Sequence, residues 1–318
     1  MSSEPFNSLL NWYRREARKL PWRETSEPYQ IWISEIMLQQ TQVKTILPRY
    51  LTWFETFPNI TVLANASLDD VLKSWEGLGY YRRARFIQQA AQKIVSEHAG
   101  IFPEPFDEIM ALPGIGRSTA GAIAAFSFDQ STPVLDGNVK RVLKRWHGAP
   151  DATDRQLWDW AQEAIDGSGN PADWNQAMME LGATVCASRS ADCTRCPVNQ
   201  HCSSAFQTVE SSALKKAAVK DVHWQIELHT SPDQGIWLTQ RPDFGIWASL
   251  WTPPITELAS PPEESPCHIH LLTHRKIHLY ANTEDHAPAG KGQWFSNLDS
   301  IALPTGIKHL LEKHGVHT

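Results

Sequence analysis

The sequence predicts an α-helical N-terminal domain followed by a smaller α+β domain, and three observations carry that prediction. Residues 5–185 place apolar side chains at helical spacing in segment after segment, with scarcely any strand-type alternation. Four cysteines then crowd into one short stretch, at Cys186, Cys193, Cys196 and Cys202. From Asp221 onward the pattern turns to short β-like runs punctuated by proline pairs. A chain of 318 residues is long for one ordinary domain and comfortable for two.

The first well-marked helix carries Tyr29, Ile33, Ile36 and Met37 on one stripe, with Pro28 suited to its first turn and Ser26 placed to cap it. Glu35 falls off that stripe, so a solvent-facing side chain is its default expectation. A second amphipathic segment runs from Arg82 to Glu97 and stops at Gly100. Asn170-Pro171 opens a third, which continues through Trp174, Met178 and Leu181 into the cysteines. After Cys202, the polar residues Ser211-Ser212 and Lys215-Lys216 mark a linker. Strand-like runs follow at 222–229, 235–240, 268–273 and 277–281. The expected boundaries are a helical domain over 1–205 with its cysteine loop at 186–202, a linker over 206–220 and a second domain over 221–318.

Composition excludes several classes. Hydrophobic residues at 42% and charged residues at 20% are those of a globular chain with enough apolar mass for real cores. Twenty-nine Lys and Arg against 35 Asp and Glu give −6, which excludes a generally polybasic binder but leaves local basic patches open. No apolar run approaches the ~20 residues of a membrane span, and the N-terminus lacks the charged start and apolar core of a secretory signal. A cytoplasmic monomer with no membrane partner is expected.

The cysteine spacing is C-x6-C-x2-C-x5-C. Disulfide frameworks belong to small secreted chains with dispersed cysteines, so four thiols in one loop suit a metal centre. Zinc ribbons pair two knuckles across a longer spacer, whereas one compact loop feeding four sulfurs fits a [4Fe–4S] cluster; spacing alone leaves zinc open. Cys267 stands apart as an ordinary thiol.

Leu112-Pro113-Gly114-Ile115-Gly116, followed by Arg117-Ser118-Thr119-Ala120, sets a glycine turn directly before a helix. Such a turn is either a plain helix–helix corner or a seat for a phosphate, its N–H groups aimed outward. The flanking apolar residues give it the look of a helix-hairpin-helix unit, which holds duplex backbone without reading bases. Asp136 precedes another helix, where an N-cap is the bland reading. Lys140, Arg141, Lys144 and Arg145 follow within six positions, and Arg82, Arg83 and Arg85 follow Tyr80-Tyr81. Cations interleaved with aromatics fit phosphate contacts, although solvated helix faces explain most such runs.

Taken together, the hairpin, Asp136 and the cysteine loop resemble the helix-hairpin-helix DNA glycosylase superfamily in its iron–sulfur branch, and within it the MutY adenine glycosylases. The segments 34–42, 77–81, 135–139 and 175–182 match that family's motifs. The resemblance implies a [4Fe–4S] cluster on the four cysteines. It makes Glu35 the acid that protonates the departing base, Asp136 the carboxylate that stabilises the cationic sugar, and Asn138 the residue that holds Asp136. It implies duplex contacts by Gln39, Gln40, Thr41, Leu112, Gly114, Gly116, Ser118 and Lys140, with Gln40 and Tyr80 pressing into the base stack. Endonuclease III relatives carry a lysine where this chain has Ser118, so efficient Schiff-base strand cleavage is not implied. Other relatives carry a tyrosine near that position that assists the second carboxylate, and with Ser118 that help is absent or weaker.

The run 240–251 resembles the start of the MutT-like, Nudix-fold domain that the family appends, without the glutamate-rich box of a Nudix hydrolase. Leu272-Thr273-His274 stands in place of the family's Phe-Ser-His loop, which leaves Thr273 and His274 as its polar readers. The function implied is removal of adenine opposite 8-oxoguanine, and opposite guanine, from duplex DNA without strand cleavage. A bifunctional glycosylase/lyase and a non-catalytic iron–sulfur DNA-binding module are the alternatives. Replication or repair partners stay open, with no motif that specifies one.

Overall fold

The structure is a computed structural model that describes residues 4–207, 219–284 and 291–316. All but residues 206, 207, 219 and 220 of the expected linker lie outside the described residues. Among the described residues eleven α-helices precede the sheet: α1 (Glu4–Glu16), α2 (Pro28–Leu38), α3 (Val43–Thr56), α4 (Ile60–Asn65), α5 (Leu68–Ser74), α6 (Arg82–His98), α7 (Phe106–Met110), α8 (Arg117–Phe128), α9 (Gly137–Trp146), α10 (Asp154–Ser168) and α11 (Pro171–Thr184). Strands β1 (Lys220–Ser231), β2 (Gly235–Gln240), β3 (Trp251–Thr252), β4 (Ile255–Leu258), β5 (His268–Leu271), β6 (Arg275–Glu284) and β7 (Gln293–Phe295) follow, and α12 (Thr305–Lys313) closes the chain.

The chain forms two compact units: one of residues 1–46, 59–61 and 90–214, the other of 47–58, 62–89 and 215–318. This division differs from the expected boundary, because α5 and the start of α6 belong with the sheet. Polar contacts explain the grouping. Trp251 Nε1 donates to Asp69 Oδ1 at 3.2 Å, Arg85 donates to Asp243 O and Ser249 Oγ, and Glu76 accepts from Lys73 and Lys308. Beneath them Trp53 packs edge-on against Trp75 at 5.8 Å between ring centroids. Asp69, Glu76 and Arg85 are ordinary surface residue types, and nothing in their local sequence announces partners 158 to 232 positions away.

In the first unit the core centres on α11. Its Trp174, Ala177, Met178 and Leu181 meet Phe6, Leu9 and Tyr13 of α1, Val139, Val142 and Leu143 of α9, and Leu157, Ala161 and Ile165 of α10. Asn170 caps α11 by accepting from Asp173 N, and Pro171 stands at its first turn, as the sequence suggests. Helix α2 departs from expectation in two ways. Its N-cap is Glu27, with no side-chain bond, rather than Ser26. It is also buried on nearly every side, Ile31, Trp32 and Ser34 included, so Glu35 has no open solvent face to occupy.

In the second unit the sheet runs β3-β2-β1-β6-β5, with β4 also on β1 and β7 on β2. Strands β1 and β6 are parallel over ten residue pairs, and the other pairings are antiparallel. Val222, Trp224, Ile226 and Leu228 alternate inward along β1, the period-2 pattern of a strand with one covered face. Ile307, Leu310 and Leu311 of α12 are fully buried. The expected runs at 222–229, 235–240, 268–273 and 277–281 became β1, β2, β5 and β6. Strands β3, β4 and β7 are two to four residues long, too short to show a period. Among the described residues no helix is long and apolar enough to cross a membrane.

Helices α9 and α11 touch where Gly182 faces Asn138: a Cβ at 182 would lie 2.6 Å from Asn138 Cβ. Gly182→Ala should therefore destabilise the fold by up to about 2 kcal/mol, since overpacking costs about 1–3 kcal/mol and helix propensity returns about 1. A denaturant midpoint at or above the parent's would show that the helices part freely.

Candidate active site

A cleft of about 860 Å³ opens in the first compact unit, lined by residues of α2, α8, α9 and α11 and of the segments between them. Glu35 and Asp136, 101 positions apart in sequence, both line it. Glu35 sits on the last turn of α2. Burial, first, and the negative charge of Asp136, second, push its carboxyl pKa up to about 7 against the opposing pull of Arg23. Near neutral pH a large share of Glu35 therefore carries a proton.

Asp136 caps α9: its Oδ1 accepts from Val139 N at 2.7 Å, and its Oδ2 accepts from Asn138 Nδ2 at 3.1 Å. The bland reading of Asp136 as an N-cap and the reading that puts it in a site describe the same residue. Asn138 is itself oriented by Arg141 Nη2, which donates to Asn138 Oδ1 at 2.9 Å.

Arg18 and Arg23 line the cleft, and both are paired with Glu180, a residue outside the lining that the sequence reading passed over. Glu180 is 1% exposed and accepts from Arg18 Nη2 at 2.7 Å and from Arg23 Nη2 at 2.8 Å. Burial works upward on its pKa, but donation from Arg18 and Arg23 outweighs it and holds the carboxyl at about 2. Arg23 Nε also donates to Gln176 Oε1 at 3.0 Å, so two guanidinium groups and an amide form one polar wall beside Trp22. A glutamate between Met178 and Leu181 on an apolar helix was the available signal, since a carboxylate there must find a cation.

The hairpin is present, with Gly114 at φ 77° and Gly116 as the N-cap of α8. Leu112, expected at the duplex, is buried, at 2% exposed. Ser118 Oγ accepts from Leu135 N at 3.0 Å, tying α8 to the segment that leads into Asp136. Gln39 Nε2 reaches Thr119 Oγ1 at 3.4 Å, Thr41 Oγ1 donates to Gln39 O, and Gln40 is exposed with φ 55°.

The cations of α9 all have partners within the chain. Lys140 pairs with the exposed Asp154 at 2.7 Å, and Lys144 donates to Pro150 O. Arg141 donates to Cys186 O and Gly182 O, while Arg145 donates to Cys186 O, Cys186 Sγ and Ala187 O, so these two serve the fold.

The four loop cysteines form no disulfide and line one small cavity with Arg145. Burial, first, and the neighbouring thiols push Cys196 up to about 11, and burial raises Cys202 as well. Among the described residues no three His, Cys, Asp or Glu side chains form a compact single-ion site. Four convergent sulfurs with a guanidinium donating to one of them are a donor set that fits a sulfur-bridged cluster, whose charge such a donor stabilises.

In the second unit, Thr273 and His274 form the exposed tip of the turn between β5 and β6, closed by Leu272 N donating to Arg275 O at 2.8 Å. The tip meets Tyr80: the two hydroxyls of Tyr80 and Thr273 lie 2.6 Å apart. Tyr80 is half exposed, with φ 46°, and is not a core residue. Arg83 braces its loop by donating to Leu78 O and Gly79 O.

Helices around a glycine hairpin, with paired carboxylates on one cleft, define the class of helix-hairpin-helix base excision repair proteins, and residues 33–163 match the family described as HhH-GPD superfamily base excision DNA repair protein. The chain is 40% identical over 253 residues to the adenine DNA glycosylase of Buchnera aphidicola subsp. Acyrthosiphon pisum, covering 76% of this chain and 71% of that one. It is 47% identical over 221 residues to the adenine DNA glycosylase of Homo sapiens, covering 65% of this chain and 40% of the human protein. A thermostable thymine-DNA glycosylase superposes with TM-score 0.60 at 26% identity over 63% of this chain and 94% of that one. An endonuclease III trapped on DNA shares the fold, with TM-score 0.56 at 20% identity over 64% of this chain and 97% of that one. The chain belongs to the adenine DNA glycosylase family.

Glu35 has a stability consequence. A carboxyl raised from 4.5 to about 7 binds protons on folding, so stability declines as pH rises through that window. Glu35→Gln should exceed the parent by about 2–3 kcal/mol at about pH 8 and lose that advantage by about pH 4. Denaturant unfolding at both pH values checks this, and a pH-independent difference would contradict it.

Proposed function

We propose that this chain hydrolyses the N-glycosidic bond of adenine mispaired with 8-oxoguanine, and with guanine, in double-stranded DNA, and does so without cutting the strand. The observation that carries the reading is the pairing of a protonated Glu35 with Asp136 in one cleft. Adenine leaves a sugar slowly because it departs as an anion and leaves a cation behind. Glu35 donates its proton to a purine ring nitrogen, so the C1′–N bond breaks with its electron pair passing to a neutral base. The Asp136 carboxylate, fixed by Val139 N and Asn138, stabilises the cationic sugar as it forms. Water then adds at C1′, and its proton restores Glu35. The polar wall of Arg18, Arg23 and Gln176 supplies donors and an acceptor for the edge of a base turned out of the stack.

Strand cleavage needs an amine nucleophile at the sugar. Where endonuclease III relatives carry one, this chain has Ser118, whose oxygen is engaged by Leu135 N. The cleft's lysine is Lys44, exposed at its lip. The second unit is read as a Nudix-like domain whose tip, Thr273 and His274, reaches the oxidised base opposite, with Tyr80 beside it at the base step. Discrimination has to come from that strand, because adenine itself is legitimate almost everywhere. Cys186, Cys193, Cys196 and Cys202 are read as the ligands of a [4Fe–4S] cluster, which when bound cross-links the loop that carries Arg189 and Arg195. The chain is read as a cytoplasmic monomer.

Single-turnover assays on a labelled duplex with adenine opposite 8-oxoguanine test the reading. Base loss that becomes strand scission only after alkali is expected, and Glu35→Gln should lower the rate by ~10²-fold or more. No base loss from the parent, or full activity in Glu35→Gln, would refute it. Iron-loaded protein should show broad absorbance near ~400 nm, the signature of a thiolate-held iron–sulfur centre, and Cys196→Ser should lose it.

A further inference from the structure

We infer that Asn175 is a positioning residue for this reaction: its buried amide holds the segment 132–136 so that the Asp136 carboxylate faces Glu35. The inference rests on the reading of the cleft given above and adds to it a residue that touches no substrate. Asn175 lies on α11, is 3% exposed and does not line the cleft. Its Oδ1 accepts from Val134 N at 3.0 Å, and its Nδ2 donates to Thr132 O at 2.9 Å.

Residues 132–136 belong to no helix or strand, so their peptide groups have no ladder partners and must find others when buried. Asn175 supplies one donor and one acceptor, the pattern of a neighbouring strand, from one side chain. Helix α8 grips the same segment from the other side. Thr132 Oγ1 donates to Gly121 O at 3.0 Å, and Ser118 Oγ takes Leu135 N. A Cβ at Gly121 would lie 2.4 Å from Pro133 O, so the backbone is seated in a slot with no slack. Asp136 begins where this grip ends, two residues past Val134.

The charges near Glu35 make the role separable from simple loss of stability. Asp136 raises its pKa and Arg23 lowers it; Arg18 and Glu180 are paired with each other; Arg141 is turned to Asn138; Lys44 is exposed at the lip. Asn175 carries no charge. A neutral replacement changes the field at Glu35 only by moving one of these groups, and the group it holds is Asp136. With Asp136 displaced, Glu35 loses a contribution that favours its proton, and the alkaline limb of the pH–rate profile moves to lower pH.

The test is single-turnover adenine release against pH for the full chain, with duplex affinity and thermal unfolding measured alongside. Asn175→Leu is expected to slow release by about 10–10²-fold, as small misplacements of a catalytic group do. Its alkaline limb should shift to lower pH while duplex affinity stays at the parent's value. Gly121→Ala pushes the same segment from the opposite side and should shift the limb in the same direction; it decides the matter if Asn175→Leu does not fold. A slower rate with the limb unmoved, affinity falling in step with rate, or no change in rate would each overturn the inference. A parent that releases no adenine would overturn the reading of the cleft, and this inference with it.

Discussion

A carboxyl group enclosed by protein and set opposite a second carboxylate keeps its proton to far higher pH than one in water, and in this chain that constraint falls on Glu35. The rest of the cleft follows from it. The two carboxylates have opposite tasks only if their surroundings differ. Glu35 is given burial and no ion-pair partner, whereas each oxygen of Asp136 receives an N–H donor at a helix N-terminus. Glu180, a buried carboxylate paired with two arginines of the cleft wall, shows the contrast: those two guanidinium groups drive it the other way. Three acids in and beside one cavity are thus kept chemically distinct by their neighbours.

Helix α11 does much of the arranging, and it does so with residues on different faces. Trp174, Met178 and Leu181 anchor the core, Gln176 reaches the cleft, Glu180 pairs with two of its arginines, Asn175 grips the segment before Asp136, and Gly182 admits α9 at close range. A helix with so many obligations has no freely solvated stripe. That explains why its sequence, Pro171–Thr184, mixes apolar, amide and acidic residues without a clean amphipathic period.

The sequence made the helical architecture legible because apolar spacing and the caps at Asn170 and Asp136 are local signals. It also marked Glu35, Asp136 and the cysteines, through matched motifs rather than through any spacing that shows them meeting. What it hid were tertiary choices. Whether Arg141 and Arg145 face phosphate or a carbonyl depends on where the cysteine loop lies, 41 or more positions away. Whether Leu112 points outward depends on what packs beneath the hairpin. Glu35 falls off the stripe of Tyr29, Ile33, Ile36 and Met37, but the adjacent Ile31 and Trp32 are buried as well, and together they mark a helix covered on nearly every side. The short strands β3, β4 and β7 fall below the length at which alternation can be seen.

The inward turn of Arg141 and Arg145 makes α9 a strut. One end begins at Asp136; about 7 and 14 Å along the axis, the guanidinium groups of Arg141 and Arg145 hold the first residues of the cysteine loop by their carbonyl oxygens. A chain shortened or reshaped at that loop would take an acceptor from Arg141 and the acceptors of Arg145, on the very helix whose cap is the second carboxylate. Tolerance to change at positions 186–188 is therefore governed by the needs of a group at the other end of a rigid rod, and the two can drift only together.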